Sequence, residues 1–175
     1  MPKRTVPDSP SPYEITFKNG YYCFTTNLDR EYSCAFSDVN PVLSPVVGVY
    51  DIEVFTFDFF YQDPDPKRKP TDERVSATIK FLLQDFFVIN PNRVMIYVCD
   101  SIDGRGRHRY SLFKKWFENF AQEYKCDNVE IELDDYEPIY GAVIRSNEFQ
   151  HDEILKTEVI DRAETIMTEK YGQQS

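Results

Sequence analysis

The sequence predicts an α+β domain: a mainly antiparallel sheet, helices packed on one face, and elements in the order β-β-β-β-α-β-α-β-β-α. Three observations carry this. From Tyr13 to Asp63 apolar and polar residues alternate at strand spacing, with turn residues between the runs. Two later segments, from about Thr71 to Ile89 and from Leu112 to Tyr124, change to helical spacing. Short apolar runs, "RVMIYVC", "NVEIEL" and "PIYGAVIR", separate and follow those segments.

The elements follow in order. "YEITFKNGYYCFTT" predicts a hairpin around Asn19-Gly20, the pair favoured in a type I′ turn. "EYSCAFSDV" adds a third strand. If it returns around Leu28-Asp29, Cys23 and Cys34 face each other and a disulfide becomes sterically conceivable, with opposed free thiols as the default. "VYDIEVFTFDFFYQD" is the fourth strand, and its apolar phase flips at Val54-Phe55. A β-bulge there would restore one core face, and a strand between two apolar environments is the alternative.

The first helix begins at Thr71 or Asp72, both good N-cap types, and buries Val75, Ile79, Leu82, Leu83 and Phe86. "RVMIYVC" reads as a central strand because it is apolar on both faces. The second helix carries Leu112, Phe113, Trp116, Phe117, Phe120 and Tyr124 as its stripe. Two further strands are joined by the acidic "DDYEP". A last helix over about 150–170 presents Ile154, Leu155, Val159, Ala163, Ile166 and Met167.

The chain of 175 residues suits a single domain over 13–170, with a tail at 1–12 and a frayed end at 171–175. Aromatics at 15% supply the apolar area that offsets chain entropy, which excludes a disordered chain. A net charge of −10 disfavours a general nucleic-acid coat or a binder of anionic membranes. No apolar run approaches the ~18 residues of a membrane span, and "MPKRTVPDSPSP" lacks the apolar core of a secretory signal. The expectation is a cytoplasmic protein. The four cysteines form no CxxC pair and do not cluster with His108 or His151, so no zinc, other metal or cofactor is expected.

One loop stands out. In "CDSIDGRGRHRY" the central strand delivers Asp100 and Asp103, then Arg105, Arg107, His108 and Arg109 around two glycines. The glycines allow close backbone approach, and a following helix N-terminus offers free N–H donors. Three arginines can grip an anion bidentately, with His108 as a switchable donor. Neither a P-loop nor a dinucleotide fingerprint is present. Asp100 and Asp103 together could hold Mg²⁺, yet the DxxDG spacing is one residue from the phosphatase pattern. Against any site stands a structural reading. The segment 127–137 holds Asp127, Glu130, Glu132, Asp134, Asp135 and Glu137 with no base, and the arginines could pair with it.

The stretch "YVCDSIDGRGRHRYSLFKKWF", Tyr97 to Phe117, resembles the central motif of a family of small Bacteroidota proteins with a domain of unknown function. The matching positions are Cys99, Asp100, Asp103, Gly104, Arg105, Arg109, Leu112, Phe113, Trp116 and Phe117. The resemblance implies a bacterial, cytoplasmic protein and carries no activity.

The readings rank as follows. First comes a non-catalytic protein-interaction or regulatory domain with an anion-contacting arginine loop at 100–109. Second is a protein that binds the phosphate of a nucleotide, RNA or DNA there. Third is an Mg²⁺-dependent phosphate-processing enzyme using Asp100 and Asp103. The expected partner is another protein, and oligomeric state is left open.

Overall fold

A computed structural model describes residues 12–40, 49–62, 72–99, 105–118, 122–133 and 136–162. The strands are β1 (Thr16–Lys18), β2 (Tyr21–Thr25), β3 (Glu31–Asp38), β4 (Glu53–Gln62), β5 (Arg93–Cys99), β6 (Tyr124–Leu133) and β7 (Tyr136–Ser146). The helices are α1 (Glu73–Ile89), α2 (Gly106–Glu118) and α3 (Asp152–Leu155), and α3 continues in π-helical turns over Lys156–Ile160. The sheet is mixed and mainly antiparallel, in the order β1-β2-β3-β4-β5-β7-β6, with β4 and β5 running parallel. The fold is α+β, in the element order the sequence predicts.

Contacts divide the chain into two compact units, residues 1–35 with 59–86 and residues 36–58 with 87–175. In the first, Asn19 (φ 52°) and Gly20 (φ 86°) both adopt the left-handed conformation that a type I′ turn requires, and Lys18 pairs with Tyr21. The next turn runs over Thr26–Arg30, with Asp29 at φ 58°. It pairs Tyr22 with Cys34 and Cys23 with Ser33, one residue away from the register that would oppose the two cysteines. A one-residue shift turns side chains to opposite faces. Cys34 is therefore fully buried, Cys23 lies 3.6 Å from the Ser33 hydroxyl, and both thiols are free.

Helix α1 starts where the sequence predicts. The Asp72 carboxylate accepts the Arg74 N–H at 3.0 Å, capping the first turn, and its other oxygen accepts the Tyr13 hydroxyl at 2.8 Å. Val75, Ile79, Leu82, Leu83 and Phe86 are all buried. The Tyr13 N–H donates to the Thr78 hydroxyl, and the Arg74 guanidinium lies 3.9 Å over the Tyr13 ring. Stacks of Tyr13 on Phe24 and of Phe24 on Tyr32 complete this aromatic core.

The second unit is built on β5, the predicted central strand, and it has two apolar layers. Ile52, Val54, Val94 and Val143 pack with Phe149, Leu155 and Val159, so one sheet face is covered by α3 and its π-helical continuation. Tyr97 projects from the other face and stacks on Phe113 and Phe117 of α2, while Phe57 meets Phe113 edge-on. Helices on a single face were expected; in this unit they take opposite faces.

The same arrangement explains the phase flip in β4. Its register against β5 is continuous from Glu53 to Thr56, with no inserted residue. Val54 serves the α3 side and Phe57 the α2 side, so the strand lies between two apolar layers and the expected bulge is not needed. In α2, Phe113 and Phe117 are buried as predicted, whereas Leu112 is exposed. Tyr124 opens β6, where it packs on Phe87. Phe120, Ala163, Ile166 and Met167 lie outside the described residues.

Candidate functional site

The segment predicted as a basic loop is the start of a helix. Arg105 immediately precedes α2, and its carbonyl accepts the Arg109 N–H at 3.0 Å, closing the first helical turn. Arg107, His108 and Arg109 therefore stand in that turn, whose register only the helix start could reveal. Asp100 and Asp103 lie outside the described residues, as does Gly104.

Aromatic contacts with the strands hold this helix in place. Phe113 stacks on Tyr97 at 4.8 Å, and Tyr110 stacks on Tyr140 of β7 at 5.3 Å. Gly106 is buried, while Arg105, Arg107 and His108 are exposed and Arg109 is half-buried. The first turn of α2 contains no acid. Its peptide dipoles present partial positive charge at this end, so cations there are unfavourable by roughly 0.3–1 kcal/mol each. An anion reverses the sign of that term, since the peptide dipoles and guanidinium forks would then address the same charge.

Neither Cys99 nor Cys126 is an activated nucleophile. Burial pushes the Cys99 thiol up to about 11, against the opposing pull of Arg109. Cys126 is likewise pushed up to about 11, by burial first and then by Asp127. Both are thiols at neutral pH, and the thiolate is the reactive form. Among the described residues, no group of three His, Cys, Asp or Glu side chains could hold a metal ion. Nor is any helix among them long and apolar enough to cross a membrane.

A second charged cluster escaped the sequence reading. Arg145, only 7% exposed, donates to Asp127 and Asp152 at 2.5 Å each, and Lys125 reaches Asp152 at 2.8 Å. Hydrogen bonding from Lys125, with further help from Arg145, holds the Asp152 carboxyl below its ordinary range. This network joins β6 and β7 to the first residue of α3, and one acid of the 127–137 run has its partner here. The only sequence signal was a lone arginine closing the apolar run "PIYGAVIR".

With this geometry in view, the chain belongs to the family of unknown function DUF6169, whose model matches residues 71–158, about half of the chain. The match runs from the start of α1 into the π-helical turns after α3 and contains the Tyr97–Phe117 stretch. No curated protein and no solved structure matches the chain.

Proposed function

We propose that this family member is a non-catalytic protein-interaction or regulatory domain of a bacterial cytoplasm. In this reading the N-terminal turn of α2 contacts an anionic group on its partner. One observation carries the proposal: Arg105, Arg107, His108 and Arg109 gather at the positive end of a 13-residue helix whose first turn holds no acid. Such an arrangement weakens the isolated helix and strengthens an anion complex. Asp100 and Asp103, immediately upstream in the sequence, would orient the arginines.

The test uses inorganic phosphate as the probe, followed by backbone NMR. Shifts confined to residues 105–109 that saturate, and that vanish in Arg105→Ala/Arg107→Ala with no fall in melting temperature, support the proposal. Shifts absent at millimolar phosphate, or a double variant that loses stability instead, would make these cations part of the scaffold. Native mass spectrometry of gently purified protein separates the sources of the anion. A retained nucleotide mass would move the reading to nucleotide binding, and a co-purifying acidic or phosphorylated protein keeps it with a protein partner.

A further inference from the structure

We infer that the outer edge of β6 is a docking site for an extended peptide segment that alternates basic and aliphatic residues and adds as a further strand. Its charges are the acids of β6 rather than the cations at 105–109. Strand β6 has ten residues and ends the sheet order, pairing on one side with β7. An edge of that length presents a row of backbone donors and acceptors to any chain able to pair with it.

The two faces of β6 differ in chemistry. Asn128 pairs with Ala142 and Glu130 with Tyr140, on the face where Tyr110 of α2 stacks on Tyr140. Asn128 and Glu130 are exposed, as is Glu132 further along the strand. The opposite face carries Val129 and Ile131, which with Val98, Ile139 and Val159 line an apolar groove. Gly141, paired with both Val129 and Val98, lies on this groove face, and a Cβ there would come within 2.7 Å of the Tyr97 carbonyl oxygen, so the floor of the groove is tightly built.

A strand added beyond β6 would therefore set alternate side chains beside Glu130 and beside Val129 and Ile131. Lysine or arginine suits the first position by charge, and an aliphatic residue suits the second by extending the groove. Glu132, also exposed, adds to the attraction further along the strand. A second copy paired through the same edge would bring like charges together, which disfavours that occupant.

The probe is a soluble synthetic peptide of about eight residues alternating lysine and valine, matched to the usual length of a strand. Fluorescence anisotropy should show saturable binding that weakens as salt is raised. Glu130→Lys/Glu132→Lys should weaken it about tenfold at unchanged melting temperature. N-methylation of alternate peptide amides should abolish it, because the added strand loses its donors. Amide exchange of the unaltered protein supplies the independent readout, with new protection expected within 124–133. Equal binding of the N-methylated peptide would overturn the inference in favour of charge attraction alone. Absence of binding, with self-association appearing in Glu130→Gln/Glu132→Gln, would mean that the acids only guard the edge. Salt-sensitive self-association of the unaltered protein, not relieved by the peptide, would assign the edge to a second copy.

Discussion

Arg145 and Asp152 meet at 2.5 Å, and this pair ties the end of β7 to the first residue of α3. Arg145 is nearly excluded from solvent, whereas the Asp152 side chain is 45% exposed. The buried partner is the one that cannot easily lose its counter-charge, because an uncompensated guanidinium in the interior is costly.

Asp152→Asn should lower stability by about 1 kcal/mol at neutral pH, a modest figure because water screens the carboxylate and Asp127 still serves Arg145. The pH dependence follows from sign. The folded carboxyl titrates below its unfolded value, so its contribution is complete above the ordinary carboxylate range. It is lost as pH falls through the depressed value. Urea unfolding of both proteins from pH 7 downward should show a constant gap that closes only below about pH 4. A gap that closes near pH 6 would implicate another group.

The Tyr97 hydroxyl is buried with no hydrogen-bond partner among the described residues, and burial drives its ionisation far above the ordinary phenol range. Tyr97→Phe keeps the stacking on Phe113 and Phe117 and removes only the unsatisfied oxygen. The expected result is unchanged stability or a gain of up to about 1 kcal/mol by chemical denaturation. A loss of that size would reveal a partner for the hydroxyl.

Arg107→Glu separates function from stability at the α2 terminus. An acid in the first turn agrees with the helix dipole, so the variant should gain about 0.5 kcal/mol. It should also abolish the phosphate-induced shifts at residues 105–109. If stability falls, the arginine is holding the fold together and the proposed anion site is wrong.

In the other unit, Tyr13 and Asp72 can be weighed by a double-mutant cycle. Asp72→Ala removes both the α1 cap and the acceptor of the Tyr13 hydroxyl, and should cost about 1–2 kcal/mol. Tyr13→Phe removes the bond to Asp72 and the 3.4 Å bond that the hydroxyl accepts from the Asn27 N–H, and leaves the cap intact. A coupling of about 0.5–1 kcal/mol from thermal or urea unfolding would confirm that the two act together.

Local rules were enough for much of this protein. Asn19-Gly20 specifies its turn through two left-handed residues, Asp72 specifies a helix start, and the stripe from Val75 to Phe86 specifies its buried side. All three depend on neighbours within a few positions. The continuous apolar run from Val94 to Cys99 likewise announced a strand covered on both faces. What periodicity could not say was which element covers which face, and that is why the flip at Val54-Phe55 read as a bulge. The answer depends on α2 and α3, which lie 50 to 100 residues further along the chain.

The candidate site divides in the same way. The cations at 105–109 were legible as composition, but their meaning changes once α2 begins at Gly106 and they become the first turn of a dipole. Cys23 and Cys34 hung on a single-residue choice of register that no turn signal settled. Arg145 was invisible because its acids come from β6 and from the start of α3. Sequence alone determined the identity and order of the elements, since helix and strand preferences are local. Tertiary structure alone decided the facing of the sheet, the ion network and the two chemistries of the β6 edge, since each requires residues distant in the chain to share one surface.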